Sequence, residues 1–165
     1  MVVIRGTKTF LERVGAPASE APPSTTVLGD WYAKVLFWRP QVAMFVNERT
    51  LLPLLVPLAP ANSVTDRLRA TAETVLGLHA LSKAFIVHEL AAMADTALSK
   101  TANRSVVGVL NEFASVAGHW RPATDDLIGL SLQLATVPCG PLYATHIDPK
   151  TAVAAAADAW ILGHA

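Results

Sequence analysis

Val27 to Trp38, VLGDWYAKVLFW, is the stretch on which the fold turns. Read with a period of two, Val27, Gly29, Trp31, Ala33, Val35 and Phe37 fall on one side. Leu28, Asp30, Tyr32, Lys34, Leu36 and Trp38 fall on the other. The first set is apolar throughout and predicts a core-facing strand. Arg39-Pro40 then makes a turn, and Gln41 to Asn47 returns as a hairpin partner. Leu51 to Val56 is a candidate further strand that Pro53 either confines to an edge or breaks. Upstream, Val2 to Arg5 is a short β-branched run that reads as a strand. Thr7 is placed to cap a helix over Lys8 to Val14, stopped by Gly15 and Pro17. Ala16 to Thr26, with three prolines, reads as a loop.

From Asn62 onward the apolar spacing becomes that of helices. Ser63 and Asp66 resemble a capping box ahead of the stripe Val64, Leu68, Ala72, Val75 and Leu76, which ends near Gly77. Leu81 to Leu98 is expected as a second helix, with Ile86, Leu90, Met93 and Ala97 inward. Lys100 to Gly118 is the third, Asp125 to Ala135 the fourth with Thr124 as cap, and Lys150 to Leu162 the last, begun at Pro149. Thr136 to Asp148 reads as a loop. Strands followed by helices predict an α+β domain: a small antiparallel sheet from the N-terminal third, covered on one face by four to five helices. No internal repeat or linker divides residues 1 to 165, so a single domain is expected.

Composition narrows the function. The chain has 165 residues, 52% apolar and only 16% charged, which suits a packed domain. Thirteen basic residues balance thirteen acidic ones and are scattered along the chain, so no nucleic-acid partner is expected. The single cysteine, Cys139, allows neither an internal disulfide nor a cysteine-based zinc site. No apolar run is long enough for a membrane span and Met1 to Phe10 does not read as a signal peptide, so a cytoplasmic protein is expected.

The densest polar patterning lies in KTANRSVVGVLNEFASVAG, Lys100 to Gly118. Val106, Val107, Val109, Leu110, Phe113, Ala114, Val116 and Ala117 share one broad arc of the helix. Arg104, Ser105, Gly108, Asn111, Glu112 and Ser115 share the other. Gly108 within the polar arc costs about 1 kcal/mol relative to Ala, which a close approach by backbone or ligand would offset. Arg104 in the first turn stands beside free backbone N–H groups, a favourable place for an anion. Other chemistry is sparse. His88-Glu89 begins a zincin-like motif, but Ala92 stands where the second histidine is needed. His146 and Asp148 make only two ligands. Cys139 lacks a base beyond His146 and reads as a packed thiol. No phosphate loop, dinucleotide fingerprint or nucleophile elbow is present. Neither metal nor cofactor is expected.

Four segments, LGDWYA at Leu28 to Ala33, FVNERTL at Phe45 to Leu51, TANRSVVGVLNE at Thr101 to Glu112 and ATVPCGPL at Ala135 to Leu142, resemble a bacterial domain family of unknown function. The resemblance implies no reaction, but it groups residues. Trp31, Asn47, Thr50, Thr101, Asn103, Arg104, Ser105, Gly108 and Asn111 are the expected ligand-binding set. The expected arrangement is a cleft between the sheet and the 103–118 helix, with Arg104 paired to Asp30 or Glu48, serving either as a ligand site or as a buried ion-pair and hydrogen-bond network that holds sheet to helix. A domain binding a small anionic or polar ligand is the first reading. A hydrolase using Asp30, Glu48 or Glu112 as acid or base, with Arg104 stabilising charge, is the second. A protein-interaction partner, such as one half of a toxin–antitoxin or plasmid-borne pair, is the third, and a homodimer is compatible with it.

Overall fold

The computed structural model describes residues 1–142 and 145–165. Tyr143 and Ala144, inside the segment expected as a loop, lie outside the described residues. Five strands form one mixed sheet: β1 (Val2–Gly6), β2 (Trp31–Leu36), β3 (Val42–Asn47), β4 (Pro53–Pro57) and β5 (Thr96–Lys100), in the order β4-β3-β2-β1-β5. Six helices accompany it: α1 (Lys8–Val14), α2 (Val64–Leu78), α3 (Lys83–Ala92), α4 (Arg104–Trp120), α5 (Leu127–Leu134) and α6 (Pro149–Gly163).

The α+β class stands, and three details of the expectation are corrected. First, the sheet is mixed. β2, β3 and β4 form the antiparallel meander that the alternation predicts, but β1 pairs in parallel with β2 and with β5. A strand joined to the next parallel strand needs a crossover, and α1 with the loop after it supplies it. Second, β5 comes from the middle of the chain, across the end of the expected Leu81 to Leu98 helix and the first residue of the expected Lys100 to Gly118 helix. The helix stops at Ala92, and Thr96 to Lys100 pairs residue by residue with Val2 to Gly6. Ala97 and Leu98 favour helix by propensity, and long-range pairing to β1 overrides them. Third, helices cover both faces. Ile4, Trp31, Ala33, Val35, Phe45, Leu54 and Val56 pack with Phe10 of α1 and with buried residues of α2, α3 and α6. Tyr32, Leu36, Met44, Val46 and Leu55 form a second core with Val106, Leu110 and Phe113 of α4 and Leu130 and Leu134 of α5. Both sides of the β2 alternation are therefore buried, except at its end.

β2 starts at Trp31 rather than Val27. Gly29 has φ +79°, outside the extended region, so the chain turns there before the strand begins. Gly29 is also crowded: a Cβ at this position would sit 3.0 Å from Arg49 Nε and 3.2 Å from Glu48 Oε1. β4 lies at the sheet edge, as Pro53 requires, with Pro53 as its first residue. α5 runs along that edge. Ser131 Oγ accepts a hydrogen bond from Leu55 N at 2.9 Å and donates to Leu127 O at 2.8 Å. One hydroxyl thus answers an edge N–H that would otherwise be buried without a partner.

Candidate functional site

The two ends of the sheet differ in how their polar groups are used. At the end where β2 begins and β3 finishes, Asn47 is fully buried and its amide organises the turn. Asn47 Nδ2 donates to Leu28 O at 2.9 Å and Asp30 O at 3.3 Å. Its Oδ1 accepts from Arg49 N, Thr50 N and Thr50 Oγ1 at 3.1, 2.9 and 2.9 Å. Thr50 Oγ1 in turn accepts from Leu52 N at 3.3 Å. Asn47 and Thr50, expected to bind ligand, are here engaged with their own chain. Trp31 is fully buried in the first core, with no hydrogen-bond partner at its Nε1 among the described residues.

Asp30 pairs with Arg5, not with Arg104. Arg5 Nε donates to Asp30 Oδ2 at 2.6 Å, and Ser24 Oγ donates to Asp30 Oδ1 at 2.6 Å. This is the single ion pair among the described residues. Arg5 Nη1 reaches Lys100 O at 3.2 Å, so the guanidinium spans from β2 to the end of β5. Burial works against the Arg5 charge, but the hydrogen bond and the charge of Asp30 hold its pKa up. Glu48 stands close by, and its backbone N–H donates to Asp30 O at 2.9 Å. Burial and the negative charge of Asp30 push the Glu48 carboxyl above its usual range, against the opposing pull of Arg49 and Arg5.

Glu89 completes this end from α3. Its carboxylate is fully buried and accepts from Val27 N at 2.7 Å and Leu28 N at 3.1 Å. Burial pushes its carboxyl up, partly opposed by those two N–H groups. Glu89 therefore closes the turn ahead of β2, a role the failed zincin motif did not signal.

The third polar group is on α4. Asn103 caps the helix, accepting from Ser105 N at 2.9 Å and Val106 N at 3.4 Å, and its own N–H donates to Tyr32 Oη at 2.9 Å. Further along, Asn111 Oδ1 accepts from Lys34 Nζ at 2.9 Å. α4 thus runs alongside β2 from Tyr32 past Lys34. Arg104, Ser105 and Glu112 are exposed, and neither Arg104 nor Glu112 makes an ion pair among the described residues. Gly108 is exposed as well, with no described atom within 4 Å of an added Cβ, so no close approach explains it. The structure gathers Asp30, Asn47, Glu48 and Thr50, and among the described residues no hydrogen bond or ion pair joins Arg104, Ser105, Asn111 or Glu112 to them.

The opposite end, where β1, β2 and β5 finish, is open. A cavity of about 730 Å³ lies between α1 and the ends of β1 and β5. Leu11, Ala16 and Pro17 form its apolar wall, with Lys8, Glu12, Lys100 and Thr101 around it. Of the expected ligand-binding residues, Thr101 alone lines it. Two smaller cavities, of about 400 and 290 Å³, are lined by Trp38, and a third, of about 310 Å³, shares Arg121 and Asp125 with the second of these. Sequence reasoning passed over Arg5, Lys8 and Lys100. Each is an isolated charge in sequence, and only the pairing of β1 with β5 brings them to one place.

The remaining candidates carry little chemistry. Cys139 is buried, its thiol pushed up to about 11 by burial and by the charges of Glu112 and Asp148, and Sγ donates to Val137 O at 3.4 Å. It is a packed thiol. His88 and His164 pack beside Trp160, at ring-centroid distances of 4.9 and 4.6 Å. Among the described residues no group of three or more His, Cys, Asp or Glu side chains could hold a metal ion. No helix among them is long and apolar enough to cross a membrane.

With this geometry in hand, comparison with protein families gives one match. The model of a domain of unknown function, DUF6933, covers residues 3–152. The chain belongs to that family. Comparisons with curated proteins and with solved structures found no match. The matched span takes in all five strands, α1 to α5 and the start of α6, so both sheet ends belong to the family's domain.

Proposed function

We propose that the domain binds a small anionic ligand carrying an apolar portion, in the cavity between α1 and the ends of β1 and β5. The cavity itself carries this reading. About 730 Å³ suits a metabolite-sized molecule, and its lining joins an apolar wall to a few polar groups. The ammonium groups of Lys8 and Lys100 form no ion pair among the described residues, which leaves them available for a carboxylate or phosphate. Leu11, Ala16 and Pro17 accommodate the apolar part, and Glu12 can accept from a ligand hydroxyl or amine. The site adjoins Thr101 and the approach to α4. It therefore keeps the ligand class expected from the sequence and moves it from the Asn47 turn to the other end of the sheet. A thermal-shift panel of carboxylates and phosphomonoesters with aliphatic or aromatic tails tests it. A member of the panel raises Tm, and Lys8→Ala or Lys100→Ala reduces that rise. A flat panel, or a rise indifferent to both substitutions, overturns the reading.

A hydrolytic reading has one observation in its favour. The Glu48 carboxyl is held up beside Asp30 and Arg5, which suits a general acid or base. An esterase and phosphatase substrate screen tests it, with loss of turnover in Glu48→Gln as the required result.

A further inference from the structure

We infer that the rim around Trp38 is a binding surface for single-stranded nucleic acid. β2 ends at Leu36, and the next three residues leave the sheet as Phe37, Trp38 and Arg39. Phe37 is 69% exposed, an aromatic ring with nothing packed over it. Trp38 is half-buried against the second core, and the Arg121 guanidinium lies 4.8 Å from its ring centroid. Arg121 Nη2 also donates to Arg39 O at 2.9 Å, so the stacked pair is fixed in place. Lys34 is steadied by Asn111. The two cavities that meet at Trp38 are walled by two aromatic rings, Lys34 and Arg121, against one acid, Asp125, and Arg39 lines the adjoining cavity that shares Arg121 and Asp125.

This combination has a specific partner chemistry. Bases stack on exposed rings and guanidinium planes, while neighbouring cations take the phosphates. A purely acidic peptide would use the cations and leave Phe37 idle. The sequence expectation against nucleic acid rested on overall neutrality and on the scatter of Lys and Arg. Neutrality describes the sum of the charges, and the fold sorts them: three cations and two aromatic rings meet at one rim. The scale is a short stretch of strand with little sequence preference, because stacking accepts every base.

Fluorescence anisotropy with a labelled oligo(dT) or oligo(U) of about a dozen residues, titrated with the full chain, tests this. Binding is expected, falling as salt rises, with affinity lower by about tenfold in Phe37→Ala. Arg39→Glu weakens binding and also flattens its salt dependence. Both side chains are exposed, so the variants are expected to fold, and circular dichroism checks that they do. Absence of binding at low salt overturns the proposal. So does indifference to Phe37→Ala, or competition by polyglutamate as effective as that by unlabelled poly(U), which would mark an acidic protein as the occupant. The small-anion panel reads the cavity at Lys8 and Lys100, whereas the oligonucleotide reads the Trp38 rim, so either can fail alone.

Discussion

The sheet has one end that is finished and one that is not. At the start of β2, Asn47, Asp30, Thr50 and Glu89 direct their side-chain groups at their own backbone or at one another. At the other end, Lys8, Lys100, Phe37 and Arg39 face solvent. The difference teaches where to look for a partner. A polar group already answered within the chain stabilises the fold, and using it for a ligand would mean breaking that bond. A group left in water gives up only its hydration. Polar density in the sequence points to the first end, and availability points to the second.

Substitutions can break this comparison, and the largest effect belongs to the finished end. Asn47→Ala removes every bond made by a fully buried amide and strands several backbone groups, which is expected to cost more than about 3 kcal/mol. Urea unfolding measures it, and a cost under about 1 kcal/mol would show that the turn holds without its hub. Glu89→Ala comes next, at about 2–3 kcal/mol, because the N–H groups of Val27 and Leu28 lose their acceptor.

A smaller effect concerns pH. The Glu48 carboxyl is raised above its ordinary value of 4.5. A raised carboxyl contributes stability that is complete below the unfolded value and is lost as pH rises through the folded one. Stability should therefore fall with rising pH across the range above 4.5, and Glu48→Gln should remove part of that fall. Glu89, raised in the same direction, keeps the remainder. Identical pH profiles for the variant and the parent would refute the assignment. The smallest effect belongs to the open end. Phe37→Ser is expected to shift stability by no more than about 0.5 kcal/mol, since the ring is already in water. A large loss would mean that Phe37 is part of the core after all.

The fold was partly legible in the sequence. The meander of β2, β3 and β4 follows from alternation and turn chemistry, and α1 begins and ends where Thr7 and Gly15 place it. β5 was not legible, because Ala97-Leu98 carries a helical preference and its pairing partner lies at the far end of the chain. The second helical face was hidden for a related reason: Tyr32 and Leu36 read as a mixed side until α4 supplies their cover. Among the candidate residues, Asp30, Asn47, Glu48 and Thr50 lie together, since they are close in sequence or joined by one hairpin. The expected pairing of Arg104 with Asp30 or Glu48 rests on the grouping that the resemblance implies, and it is Arg5, on the neighbouring strand, that pairs with Asp30.

The hydroxyl of Ser131 has a consequence for encounters between copies of the protein. An exposed sheet edge is a template on which a second chain can extend the ladder. Here Leu55, on edge strand β4, already gives its N–H to Ser131, and at the far edge Leu98 O on β5 already accepts from Ala18 N at 2.9 Å. An incoming strand at either margin would first have to displace part of the molecule itself. Growth of the sheet into fibres or strand-swapped pairs therefore meets a barrier at both sides, which leaves side-chain surfaces as the routes by which this domain can meet another.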